Sequence, residues 1–329
     1  MEYIKLGSTG MKVSRLALGT WRFGHKSSGV IETDKEEAHN LLDYAWEHGI
    51  NFIDTANVYG DPPGTSEKYI GSWLEDYDRE DFVIASKVYF DVDDGPNDRG
   101  LSRKHIREQI QRTLTRLGTD YIDIYYMHRW DDETPIEETL STMNELVRKG
   151  KVHYLGASTM AAWKLTKALW KSEVNNWEKI KIAQPQFHAA YPDEVADYLD
   201  VCSDQNLAIC PYSPLAGGFL TGKYKRSEED PKSIEAPDGS RGSIDENFED
   251  WYVTDRAWDV LDKIREISNE LDATPAQVSL RWIMENERFT TVPLVGARTI
   301  GQLKENLGST EIELSREQFE EISNARKNE

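Results

Sequence analysis

Four side chains able to move a proton sit in or just after three short apolar runs. Asp54 closes the apolar part of NFIDTANVYG, and Tyr59 follows five residues later. Lys87 stands near the end of FVIASKV, and His128 near the end of YIDIYYMHR. A lysine in an apolar run is rare unless paired. An aspartate at the end of the preceding run supplies a partner that would keep both ions charged. A tyrosine beside that lysine, with a histidine on the next run, completes a set that can deliver a proton to a carbonyl oxygen. Taken singly, each has a plainer reading: a lysine reaching out from a strand end, a half-buried aromatic, a satisfied core histidine. Their place on three successive runs favours the joint reading.

The elements that must position them alternate. Strand-like runs occupy 15–18, 51–56, 82–88, 121–128, 152–158, 182–187, 207–213 and 291–297. Helical periodicity separates them. TDKEEAHNLLDYAWEHG carries an N-cap at Thr33 or Asp34 and Gly49 as its stop. Ser102 and Gly118 bound a second helix, Pro135 falls in the first turn of a third that ends at Gly150, and Pro275 opens another. Eight strands alternating with helices predict a parallel sheet closed into a (β/α)8, or TIM, barrel. In such a barrel the carboxyl ends of all strands meet on one face, where catalytic groups gather. EYIKLGSTGMKV predicts a hairpin ahead of the barrel, with STG as its turn. The stretch 223–254, with Pro231 and Pro237, breaks the rhythm and predicts a long loop after strand seven. No linker divides the chain, so 1–329 reads as one domain.

Composition narrows the classes. Acidic residues outnumber basic ones 59 to 39, for a net charge of −20. Such a surface repels phosphate backbones, which argues against nucleic acid as a partner. It fits ordinary solubility, and it also fits life in high salt, where screening relieves the repulsion. Runs such as DVDDG (91–95), DDE (131–133), EED (228–230) and DEN (245–247) suit the second reading, while the lysines weaken it. No apolar run approaches the roughly 20 residues of a membrane span. The N-terminus lacks the pattern of a signal peptide. Cys202 and Cys210, without an export signal, suit a reducing cytoplasm and suggest neither disulfide nor zinc. No G-x-G-x-x-G follows the first strand. GGFLTGKY (217–224) mimics a P-loop but puts Tyr224 where a magnesium-binding hydroxyl belongs.

LALGTW, GINFIDTANVYG, SKV, YMHR, GAS, YSPLAGGFLTGKY and VGARTIGQLKENL occur in the order found in the aldo-keto reductases, and the chain resembles that family over nearly its whole length. MHRWDDETPIEETL and LVRKGKVHYLGAST are similar to the branch holding potassium-channel β-subunits and their bacterial oxidoreductase relatives. The resemblance implies hydride transfer between a nicotinamide and an aldehyde, ketone, sugar or alcohol. Tyr59 would be the general acid, Lys87 would lower its pKa from about 10, Asp54 would hold Lys87, and His128 would orient the carbonyl.

It also implies a cofactor site. Thr20, Trp21 and Asp54 would lie near the nicotinamide, Ser158 and Gln184 on its carboxamide, and Tyr212 on its face. Ser213, Leu215, Gly217 and Lys223 would wrap the pyrophosphate. Ser240 and Arg241, in the long loop, would close over the adenosine end. Gly296, Arg298, Gln302, Glu305 and Asn306 would surround the 2′-phosphate and adenine. Three positions depart from the pattern: Thr159 replaces Asn or Arg, His188 replaces Asn, and Arg298 replaces Ser or Thr. A guanidinium at 298 favours NADPH, with NAD as the other cofactor. Trp21, Tyr89, Phe90 and Trp130 are candidates for the substrate walls. The alternative function is a nicotinamide-binding, redox-sensing regulatory subunit. A third reading makes Lys87 a Schiff-base nucleophile.

Overall fold

Apolar runs long enough to be covered on both faces form a parallel sheet here. The computed structural model describes residues 1–27, 30–191, 193–227 and 233–326. Eight strands lie side by side: β1 (Ala17–Gly19), β2 (Phe52–Asp54), β3 (Val83–Val88), β4 (Ile122–Met127), β5 (Val152–Ser158), β6 (Ile180–Gln184), β7 (Ala208–Ile209) and β8 (Leu294–Val295). Each pairs in parallel with the next through β7, and β8 pairs with β1. Backbone bonds close the remaining gap. Ile209 N donates to Thr290 O (2.8 Å), Val292 N to Ile209 O (2.9 Å), and Leu294 N to Pro211 O (3.1 Å). The eight strands follow the expected order. The sixth ends at Gln184, short of the expected 187, because Pro185 has no N–H to give to a ladder. The first begins at Ala17 rather than 15, since Arg15 N bonds back to Glu2 O.

Strand periodicity decides what faces inward. Phe52, Val83, Ala85, Ile124, Tyr126 and Ile182 pack inside the barrel. Ile53, Ile84, Val88 and Tyr125 pack outward against the helices. Asp54 and Lys87 share the parity of the inward set. The predicted hairpin is present, with Tyr3–Lys5 paired to Lys12–Ser14. Its Leu6 and Val13 are buried in the barrel's inner cluster.

The helical layer is α1 (Lys35–Glu47), α2 (Thr65–Leu74), α3 (Arg103–Leu117), α4 (Ile136–Arg148), α5 (Ala162–Val174), α6 (Glu194–Asp204), α7 (Asp255–Glu270), α8 (Pro275–Met284), α9 (Ile300–Leu307) and α10 (Arg316–Ala325). Asp34, not Thr33, caps α1 through a capping box with Glu37. Ser102 and Gly118 bound α3 as expected. Pro135 is the N-cap of α4 rather than a residue of its first turn. Pro275 opens α8 behind a Thr274 capping box.

The segment expected as a plain loop carries structure of its own. Lys225–Arg226 pairs antiparallel with Ile234–Glu235, and short helices follow at Arg241–Ile244 and Phe248–Tyr252. Tyr224, Phe248 and Tyr252 are buried and anchor it, with ring centroids 5.0 and 5.3 Å apart in succession. The acidic run 228–230 and Pro231 lie outside the described residues. Among the described residues no helix is long and apolar enough to cross a membrane. Among them, too, no group of three or more His, Cys, Asp or Glu side chains could hold a metal ion. Cys202 and Cys210 are free and buried, and burial pushes the Cys202 thiol up to about 12.

Candidate active site

Asp54 is the last residue of β2, and Lys87 is the last but one of β3. Their shared inward parity brings the two side chains together at the carboxyl end of the barrel. The Lys87 side chain is fully buried. Its ammonium donates to Asp54 Oδ1, to Thr55 O (2.8 Å) and to the Tyr59 hydroxyl (3.3 Å). An ammonium has three N–H donors, so these three oxygens satisfy it fully. The other Asp54 oxygen accepts from Gln184 Nε2 at 2.9 Å. Tyr59 reaches this point because the loop after β2 doubles back. Its N–H bonds to Ala56 O, and its carbonyl accepts from Gly64 N and Ser66 N.

His128 extends the β3–β4 ladder by one bond, from its N–H to Val88 O (3.0 Å). Its ring meets Tyr59 edge-on at 5.9 Å between centroids, and Phe90 packs edge-on against it at 4.8 Å. His128 Nδ1 is buried and has no partner. The four residues expected to act together are therefore adjacent. A carbonyl oxygen placed between Tyr59 and His128 would meet a phenol and an imidazole.

Electrostatics correct one expectation. Burial raises the Tyr59 pKa, and the pull of Lys87 in the other direction does not overcome it. The net shift is upward, not downward as the sequence suggested, because burial outweighs the lysine's pull and the Asp54 charge adds to it. The phenol accordingly keeps its proton. Burial also works against the Lys87 ammonium, but Asp54 and Tyr59 outweigh it and raise its pKa. Burial raises Asp54, with Lys87 and Gln184 pulling it down. His128 is held well below the usual histidine value, first by burial and then by the charges of Lys87 and Arg129. Its imidazole is neutral, able to donate from one nitrogen.

The expected cofactor residues form a rim around this centre. Thr20 Oγ1 bonds to Asp54 O (3.0 Å), and Ser158 Oγ donates to Gln184 O (2.8 Å). Tyr212 lies beside β6, its N–H on Pro185 O (3.0 Å), and its hydroxyl contacts Thr159. Thr159 has φ of 43°, a left-handed conformation uncommon for a β-branched residue. Ser213 accepts from the Tyr252 hydroxyl at 3.3 Å, and Leu215 is half-buried beyond it. Gly217 has φ of 65°, and a Cβ there would come within 2.8 Å of the Tyr252 ring, so only glycine fits. Ser240 is buried with an unpartnered hydroxyl.

Arg241 lies over the rings of Trp21 (5.6 Å) and Tyr252 (5.7 Å) while pairing with Asp245. Arg298 donates from Nη1 to Gly239 O (3.0 Å), and its N–H bonds to Gln302 Oε1 (2.8 Å). These two arginines tie the segment after β7 to the loops that follow β1 and β8, across the barrel mouth. Gly296 follows β8, Glu305 Oε lies within reach of the Lys223 charge, and Asn306 is buried in α9. His188 is buried with both ring nitrogens unpartnered, and burial lowers its pKa to about 3.

Among the proposed substrate walls, Phe90 stands on His128, Tyr89 on Phe90 (5.3 Å), and Trp21 beneath Arg241. Trp130 packs toward α5 instead. Its ring is 6.3 Å from Trp163, with Lys164 and Lys167 over it.

Two contacts go unread in the sequence, one of them made by Gln184, which was expected only at the carboxamide. Gln184 steadies Asp54 from 130 residues away. Arg22 pairs with Glu32 and feels the charges of Arg298 and Arg241. Only its place beside Trp21 could have drawn attention to it.

The matching family model, described as the Aldo/keto reductase family, covers residues 15–327. An uncharacterized oxidoreductase of Bacillus subtilis (strain 168), YrpG, is 36% identical over 96% of this chain and 93% of its own length. A probable voltage-gated potassium channel subunit beta of Arabidopsis thaliana is 34% identical over 95% of this chain and 92% of its own. L-glyceraldehyde 3-phosphate reductase of Escherichia coli O157:H7 is 32% identical over 93% and 87%. The match runs through every barrel strand and includes the segments that carry Asp54, Tyr59, Lys87 and His128. This protein belongs to the aldo/keto reductase family.

Proposed function

We propose that this protein is a cytoplasmic, NADPH-dependent carbonyl reductase, one barrel domain over its whole length, that also runs as an alcohol dehydrogenase. The observation that carries the reading is the Lys87 ammonium, saturated by three oxygens, one of them the phenol beside His128. A nicotinamide, when bound, supplies the hydride that protein side chains cannot. The chain's own residues handle the proton. Tyr59 gives its proton to the carbonyl oxygen. Lys87 stabilises the phenolate that remains, and Asp54, held by Gln184, keeps Lys87 charged. Neutral His128 donates a hydrogen bond to the same oxygen and fixes its direction. In alcohol oxidation the proton returns to Tyr59.

The rim fits a phosphorylated dinucleotide. Lys223 has its pKa lowered by partial burial and then by the charges of Arg298 and Arg22, with Glu305 working against them. Crowded cations of this kind call for an anion. Lys223 and Gly217 suit the pyrophosphate, Ser240 and Arg241 the adenosine side, and Arg298 a 2′-phosphate. Arg298→Ala should weaken NADPH about tenfold or more, and NADH much less. Titration of both cofactors by fluorescence checks this, and equal losses would remove the assignment.

Consumption of NADPH with a reactive aromatic aldehyde tests the main reading. Tight NADPH binding with no turnover of any aldehyde would favour the redox-sensing role suggested by the channel-subunit relatives. A Schiff base on Lys87 is disfavoured, because its ammonium has no free donor and an elevated pKa. We also propose adaptation to high salt, on the net charge of −20. Unfolding temperature and activity should then rise from dilute buffer to molar KCl, and a steady fall would overturn it.

A further inference from the structure

Arg129 follows His128 at the carboxyl end of β4 and is exposed. Its guanidinium lies 5.8 Å from the centroid of Phe90, the ring that packs against His128. Its charge reaches both His128 and Tyr212. The acids that follow it in sequence are engaged elsewhere. Asp131 accepts from Leu101 N (2.7 Å), Thr134 Oγ1 (2.7 Å) and Glu133 N (2.9 Å), and Asp132 pairs with Lys164 (2.8 Å).

Three other arginines around the mouth have acidic partners, Arg22 with Glu32, Arg99 with Asp91 and Arg241 with Asp245, and Arg298 donates to the Gly239 carbonyl. Among the described residues no carboxylate pairs with Arg129. In a chain with 59 acidic residues against 39 basic, this is a notable omission at the edge of a site. The guanidinium lies over the Phe90 ring, and a planar guanidinium can offer two parallel N–H donors to one anion.

We propose that Arg129 binds an anionic group, a carboxylate or a phosphate, carried by the substrate at a distance from its reacting carbonyl. The proposal rests on the carbonyl-reductase reading and narrows it to acidic aldehydes or ketones. A bidentate contact would give such substrates an advantage that the acidic surface elsewhere denies them.

The test compares para-carboxybenzaldehyde and para-formylphenyl phosphate with neutral para-formylbenzamide. The proteins are the wild type, Arg129→Gln, Arg129→Lys, and Arg148→Gln as a remote exposed control for lost charge. In Arg129→Gln the ratio of kcat/KM for an anionic over the neutral aldehyde should fall about tenfold or more, mainly through KM. Arg129→Lys should restore part of it, and Arg148→Gln should leave the ratio as in the wild type. The arm with the larger fall identifies carboxylate or phosphate. An unchanged ratio in Arg129→Gln, or an equal fall in Arg148→Gln, would overturn the proposal. Dissociation constants of the same compounds, from tryptophan quenching in the presence of NADP, separate the two failures. Binding that depends on Arg129 without turnover supports the anion site and counts against the reductase. Anion binding indifferent to Arg129 overturns the site, whatever the turnover.

Discussion

Tyr59→Phe is expected to lower kcat for carbonyl reduction by about 10²- to 10⁴-fold while NADPH affinity stays within a few fold. The substitution removes only the hydroxyl that contacts Lys87 at 3.3 Å. The ring packing against His128 remains. The pH profile carries a second, independent signature. Burial keeps the Tyr59 phenol protonated beyond its ordinary pKa, so reduction finds its acid loaded throughout the neutral range. His128 titrates well below the usual histidine value and adds no limb near neutrality. Reduction by the wild type should therefore be nearly flat between mildly acidic and mildly alkaline pH. Alcohol oxidation needs the phenolate, so its rate should climb as pH rises. Stopped-flow absorbance of the cofactor in both directions reads the two profiles. A Tyr59→Phe enzyme with undiminished kcat would remove the tyrosine from the chemistry.

The second large effect concerns the buried ion pair. Asp54→Ala leaves the Lys87 ammonium buried with no counter-ion, and should destabilise the fold by about 3–5 kcal/mol. The same change lets burial pull the Lys87 pKa down, since Asp54 is the largest influence holding it up. A lysine that loses its charge no longer supports a phenolate, so kcat falls together with stability. The two effects separate in the double variant Asp54→Leu with Lys87→Met. Two apolar side chains of similar size leave no isolated charge, and urea unfolding should show much of the lost stability restored. Activity should not return. If the double variant is no more stable than Asp54→Ala, the cost of the single change lies in packing and not in a stranded charge.

Much of the frame is written in local sequence. The runs 82–88 and 121–128 are apolar almost throughout, as strands covered on both faces must be, and six residues of each form fully buried strands. Ser102 and Gly118 mark the ends of α3 because capping is a matter of a few neighbouring residues. The segment after β7 was harder to read. Its helices have only four and five residues, too short for periodicity to register, and distant aromatic packing holds them.

The candidate site divides in the same way. Asp54, Tyr59, Lys87 and His128 could be named in advance, since a polar residue closing an apolar strand is visible one segment at a time. Parity along β2 and β3 then aims Asp54 and Lys87 at the same interior. Other features needed the closed barrel. Gln184 meets Asp54, and Arg22 comes near Arg298, through contacts that join remote parts of the chain. The direction of the Tyr59 shift was decided there too. The sequence by itself determined the order of strands and the identity of the proton-handling groups, because both follow from neighbours along the chain. The tertiary structure alone decided which charges stand paired and how deeply each is buried. Solvation and Coulomb energy depend on distance in space, and a linear sequence does not contain that distance.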